Sequence, residues 1–240
     1  MRLGLIHGGC SNSFIFRQQI KHLLPLLPKD VELVDLEGGL LSEAVRFDDR
    51  GRKNMALLYK VFGSDQVLRE HAVTCYDEVG AFFYERLDEG TAHLEAQLRA
   101  LPSPVDALLG FSQGANFSTI LSARAWHQVE GASPPFRALI LLENDPPAWP
   151  AQMPELFASP LAVPALLVGG QLDSPKTQAV GRLYANAEFA YHNDGHRPLP
   201  KDPTACKALV ERIRDFLRAH AATVQPQGSR TEDDGTAIEQ

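Results

Sequence analysis

Short apolar runs recur along the chain, each closed by glycine or proline and followed by residues with helical spacing. Leu3-Gly4-Leu5-Ile6 is the first, and it stops at Gly8-Gly9. A run without polar alternation is the pattern of a strand buried on both faces. Val31–Leu36, Val105–Leu109, Ala138–Leu142, Ala165–Val168 and Ala187–Tyr191 read as five further strands. Helical spacing is read over Asn12–Leu27, over Thr74–Leu101 with a break at Gly90, and over 115–129 and 177–185. Pro203–Ala221 is the clearest helix: Ala208, Val210, Ile213, Phe216 and Leu217 fall on one face, and Asp202 caps it.

Residues 41–75 are the least regular. Asp48–Lys53 reads as a charged loop, with Met55–Val61 and Val67–Ala72 as short helices. Asp145 through Pro160 reads as proline-rich loop. Beyond Ala222, Gln, Pro, Gly, Ser, Thr and acidic residues dominate, so 223–240 is predicted to be a disordered tail. Strands alternating with helices predict one α/β domain over 1–222, with a mostly parallel sheet of about six strands and helices on both faces. Residues 41–75 would form a cap or substrate wall rather than a large separate lid. Ligands of such sheets bind at the carboxyl ends of the strands, so the loops after each strand hold the candidate chemistry.

Composition narrows the function. Lys and Arg total 23 against 30 Asp and Glu, a net charge of −7 in 240 residues. This balance lacks the basic excess of a nucleic-acid binder. Three scattered cysteines, Cys10, Cys75 and Cys206, are no disulfide framework. The absence of a signal-peptide pattern or a long apolar run predicts a cytoplasmic protein with no membrane span.

After the third strand comes Gly110-Phe111-Ser112-Gln113-Gly114, the G-x-S-x-G pattern of a nucleophile elbow. Its glycines permit a strand-to-helix turn too tight for side chains. The serine takes a strained conformation that lifts its hydroxyl clear. A serine hydroxyl needs a base, and the base needs an orienting acid. In this arrangement the acid and then the histidine follow in chain order. Asp173 follows the fifth strand and His196 the sixth; Asp145 and His192 are the competing acid and base. The oxyanion needs two N–H donors. Gln113 supplies one, and the loop His7-Gly8-Gly9-Cys10 the other, assigned to Gly9 with Cys10 as the neighbouring alternative. His192 and His196 are separated by Asn193-Asp194-Gly195, which opposes a helix and hence a metal pair. Neither a metal nor a nucleotide cofactor has a signature in the chain.

These residues resemble the eukaryotic family of serine hydrolases, the FSH family of small α/β-hydrolases. Leu5-Ile6-His7-Gly8-Gly9 with Ser13 through Gln19 is similar to its opening strand, oxyanion loop and first helix. Asp106 through Ala115 is similar to its elbow, Pro164–Asp173 to its acid-bearing strand, and His192 through Pro198 to its closing histidine motif. The resemblance implies Ser112 as nucleophile, Asp173 as acid and His196 as base. It implies a carboxylesterase or thioesterase acting on a small ester or thioester, including an acyl chain on a carrier. Phe14, Phe111 and apolar residues of 40–62 would line the acyl site. A non-catalytic binder, or an acyltransferase or cyclase using the same triad, are the alternatives.

Overall fold

A computed structural model describes residues 1–43, 49–76, 78, 82–128, 135–144 and 149–221, with the backbone alone at 49–51, 82, 173 and 221. The predicted tail and Asp145 lie outside the described residues. Six parallel strands form the central sheet: β1 (Arg2–Ile6), β2 (Glu32–Leu36), β7 (Ala107–Phe111), β8 (Ala138–Leu142), β9 (Ala165–Gly170) and β10 (Ala187–His192). Their spatial order is β10-β9-β8-β7-β1-β2. The sequence reading found all six; the inner strands β7, β8 and β9 are buried at every position, and the edge strands β2 and β10 keep apolar residues between their polar ones.

The alternation within each strand sorts the core into two layers. Leu3, Leu5, Ala107, Leu109, Ile140 and Leu166 face one side, where helix α1 (Ser13–Gln19) and the long helix α6 (Pro203–Ala221) bring Phe16, Ile213 and Leu217. Ile6, Leu108, Leu139, Leu141 and Leu167 face the other, against Leu94 of α3 (Leu87–Ala100) and Phe117 and Ile120 of α4 (Gln113–Gln128). Full burial of each large aliphatic side chain contributes about 1.5–3 kcal/mol. Helix α5 (Ser174–Gly181) packs beside β9 and β10.

The irregular segment departs from expectation. Helix α2 starts at Asp49 and runs to Phe62, so most of the predicted charged loop is helical. It packs Met55 against Ile15 and Leu68. Residues Val67–Ala72 form no helix; β3 (Leu40–Leu41) pairs with β4 (Arg69–Glu70). Nor are the described residues at the start of the expected helix from Thr74 helical: β5 (Val73–Tyr76) and β6 (Phe82–Glu85) pair as antiparallel strands. Both are rich in β-branched and aromatic side chains, which suit a pleated surface. The Tyr84 backbone is tied on both sides to the Gln152 amide, at 2.9 and 2.8 Å, within a short 3-10 turn, Trp149–Gln152, in the stretch expected to be loop. Expected helices are trimmed as well: α1 ends at Gln19, and α5 ends at Gly181.

Gly90, the predicted break, lies within α3. A Cβ there would stand 1.7 Å from the His71 carbonyl oxygen. The glycine is the point where α3 rests on the segment leading into β5. Gly90→Ala must push the helix off that backbone. We expect it to lower stability by about 3 kcal/mol in urea or thermal unfolding.

Candidate active site

Four neighbouring strands, β7, β8, β9 and β10, end side by side, and the residues just beyond them carry the polar chemistry. Ser112 follows β7 directly and has φ 54°, the left-handed conformation that non-glycine residues avoid. Its N–H donates to the Leu142 carbonyl at 2.8 Å, and its carbonyl accepts from Ala115 and Asn116 in the first turn of α4. The turn is as tight as the motif required. A Cβ on Gly114 would stand 2.2 Å from the Ile6 carbonyl oxygen, and one on Gly110 would stand 2.3 Å from that of Gly114. Helix α4 thus meets the end of β1 backbone to backbone, with the serine at its N-terminus.

His196 arrives from the loop after β10. Its Nε2 lies 2.9 Å from Ser112 Oγ, and the hydroxyl donates when the ring proton sits on Nδ1. The Phe111 ring lies 5.2 Å from the imidazole, centroid to centroid, and walls one side. His192, the rival base, is buried elsewhere in the site, with Nε2 3.1 Å from Glu143 Oε1. Asp173 closes a single 3-10 turn, Gln171–Asp173, directly after β9, and its side chain is outside the described atoms. The strand order thus brings together the stations of Ser112, Asp173 and His196.

Glu143 was missed by the sequence reading. It follows β8 directly, has φ 53°, and is 2% exposed. Besides His192, it faces His196, with Oε2 3.9 Å from Nδ1. A signal was present: an acidic residue joined without a spacer to a wholly apolar strand.

Gln113 does more than offer its N–H. Its buried amide accepts from His71 N at 2.7 Å and donates to the Ala72 carbonyl at 2.9 Å and to Thr74 Oγ1 at 3.2 Å. The residue after the nucleophile is thereby pinned to the segment entering β5. Gly9 lies against this amide, and a Cβ there would meet it at 3.7 Å, an ordinary contact. Neither Gly8 nor Gly9 is left-handed; the turn is made at Cys10, with φ 53°. The loop's left-handed residue thus sits one position after the glycine pair.

A second polar cluster supports this loop from below. The His7 ring packs 4.5 Å from that of His71, and His71 Nε2–H donates to the His7 carbonyl at 2.9 Å. Burial, then the proximity of His7, pushes His71 well down, so it stays neutral. Glu37, beyond β2, lies 2.7 Å from His7 Nε2 and accepts from Ser13 N–H at 3.2 Å. Partial burial opposes the Glu37 charge, but His7 and Ser13 outweigh it and pull the carboxyl from its ordinary 4.5 down to about 2.

Among the described residues no group of three His, Cys, Asp or Glu is placed to hold a metal ion. No helix among them is long and apolar enough to cross a membrane.

A family model described as serine hydrolase (FSH1) matches residues 1–205. No curated protein matches. Among solved structures, a dienelactone hydrolase from Anabaena variabilis is 13% identical, covering 92% of this chain and 87% of its own, with TM-score 0.52. Esterase PE8 is 18% identical, covering 90% and 92%, with TM-score 0.55. A point variant of SOBER1 from Arabidopsis thaliana is 13% identical, covering 90% and 99%, with TM-score 0.52. At these identities the likeness establishes the α/β-hydrolase fold.

The Glu37 interaction has a pH signature. A depressed carboxyl stabilises the fold in full above its unfolded value and loses that contribution as the pH falls toward its folded one. The stability difference between wild type and Glu37→Gln should therefore be constant above about pH 4.5 and shrink as the pH drops toward 2. Urea unfolding at stepped pH reads it, and a difference that stays level down to pH 2 would contradict the pairing.

Proposed function

We propose that this chain, which belongs to the serine hydrolase (FSH1) family, cleaves a carboxylic ester or thioester through an acyl-enzyme on Ser112. The observation carrying the reading is the 2.9 Å contact between Ser112 Oγ and His196 Nε2 at the carboxyl edge of the sheet. Ser112 Oγ bonds to the substrate carbonyl carbon as its proton passes to His196 Nε2. The negative oxygen accepts from the Gln113 N–H, at the start of α4, and from the Gly9 N–H. The first N–H groups of a helix have no partner within it and favour negative charge. Collapse breaks the bond to the leaving alcohol or thiol, which takes the proton from His196. Water then repeats the sequence in reverse and frees the acid and Ser112.

Asp173 is assigned as the orienting acid by its station after β9. A carboxylate there fixes the His196 tautomer and stabilises the imidazolium formed in the first step. Access of water to the base fits the exposure of His196, whose side chain is 44% accessible. We read the substrate side as apolar. Phe14 at the start of α1, Leu41 in β3, and Leu57 and Val61 on α2 are exposed on elements that follow the oxyanion loop. Phe111 adds a buried ring beside His196. Such a wall favours a substrate with an apolar acyl chain over a highly charged one.

Fluorophosphonate labelling followed by mass mapping tests the reading. One adduct per chain on Ser112 is expected, with none in Ser112→Ala. Turnover of p-nitrophenyl acyl esters in the mutant should fall by about 10⁴-fold or more. A folded wild type that takes no label would overturn the proposal.

A further inference from the structure

Glu143 is a buried carboxylate at the centre of the proposed site that the usual three roles leave unused. A carboxylate out of water must be paired, since an isolated buried charge is strongly disfavoured. Its two oxygens divide between two imidazoles: Oε1 lies 3.1 Å from His192 Nε2, and Oε2 lies 3.9 Å from His196 Nδ1. The other face of His196 already holds Ser112 Oγ. Serine, base and carboxylate therefore stand in the order that relays the effect of charge onto the nucleophile.

We propose that Glu143 is a second acidic partner of His196, a positioning residue that stabilises the imidazolium from β8 while Asp173 acts from β9. The inference rests on the serine hydrolase reading of the site. When His196 takes the Ser112 proton on Nε2, its Nδ1 faces the Glu143 carboxyl group. At 3.9 Å the contact is a charge pair rather than a hydrogen bond. Catalytic contacts in unliganded enzymes are commonly longer than in the reacting complex.

The surroundings hold this carboxylate in place. The Glu143 backbone is left-handed, and its N–H donates to the Val168 carbonyl at 2.7 Å. Gly170 at the end of β9 packs tightly on the loop beyond β10, where a Cβ would stand 2.5 Å from the Asp194 carbonyl oxygen but an ordinary 3.6 Å from Glu143 Oε1. From β10, His192 is 4% exposed. Burial acts to lower the His192 value, and Glu143 outweighs it, with smaller help from the Arg197 backbone and Asp194. Among the described residues, the charged and titratable groups facing the carboxylate are His192 and His196, with Asp194 next to His192. The next residue along the chain, Asn144, is buried and neutral.

Two measurements test the assignment on the full chain, in wild type, Glu143→Gln, Glu143→Asp and Asp173→Asn. The first follows the imidazole resonances against pH by NMR, with His192→Gln and His196→Gln to assign them. Removing a facing negative charge favours the neutral ring. The His196 midpoint should fall by about one unit in Glu143→Gln and by less in Glu143→Asp. This readout needs no turnover. The second is the pH dependence of kcat/KM and of fluorophosphonate labelling. Glu143→Gln should lower kcat about tenfold with KM little changed. It should also displace the acid limb to lower pH, and Glu143→Asp should restore part of both.

A His196 midpoint unmoved in Glu143→Gln, but moved in Asp173→Asn, would overturn the proposal and leave Glu143 as a structural partner of His192. If wild type takes no label, the serine hydrolase reading fails, and the NMR midpoint still decides whether Glu143 acts on His196. If Glu143→Gln does not fold, the same shift is read from Glu143→Asp, which withdraws the charge by one methylene; no shift there counts against the proposal.

Discussion

The site depends on how closely helix α4 approaches the ends of β1 and β7. Backbone meets backbone there, with room for a hydrogen where Gly114 faces the Ile6 carbonyl and none for a methyl group. That contact places the helix N-terminus, and Ser112 with it, at the carboxyl edge of the sheet. It also leaves the serine no relaxed backbone, so the hydroxyl projects from a left-handed turn. The Gln113 amide extends the constraint outward by bonding the elbow to residues 71–74. The oxyanion loop, the elbow and the entry to the β5–β6 hairpin consequently behave as one packed unit, joined by short hydrogen bonds rather than by side-chain contacts alone.

Around that unit the chain distributes ionisable groups by depth. Glu37 and the His7–His71 pair lie beneath the loop after β1, where pairing lowers the Glu37 carboxyl and burial keeps His71 neutral. Glu143 and His192 lie beneath the closing histidine loop. His196 alone of these reaches the surface while touching the serine. The polar groups behind it are fixed in position by burial and short contacts. Preorganised groups of this kind do not need to rearrange as the reaction proceeds.

Most of the sheet and the elbow were legible in the sequence for one reason. Strands such as Ala107–Phe111 and Ala138–Leu142 are apolar at every position, and Gly110-Phe111-Ser112-Gln113-Gly114 has steric requirements that few other turns share. The segment from 49 to 86 was harder. The β6 strand of the Val73–Tyr76 and Phe82–Glu85 pair rests on partners remote in sequence: the Tyr84 ring packs by Phe117, and its hydroxyl accepts from Asn116. Gly90 carries a packing requirement that resembles, in sequence, an ordinary helix breaker. Glu143 reads as the first residue of a loop until β8 and β10 are placed two strands apart, which brings both histidines within its reach.

Among the described residues, four that are not glycine adopt the left-handed conformation: Cys10, Arg86, Ser112 and Glu143. Arg86 precedes α3 and pairs with Glu89 on the surface. The other three ring the proposed catalytic centre, one each beyond β1, β7 and β8. Each conformation costs about 1 kcal/mol that glycine would not. A search for heat-resistant variants that relaxes such backbone positions would therefore be drawn first to these three, and would gain melting temperature there by deleting the proposed nucleophile, a buried carboxylate and the bend of the loop after β1. Durability and chemistry compete in this chain at identifiable residues, and the competition is written in its backbone angles.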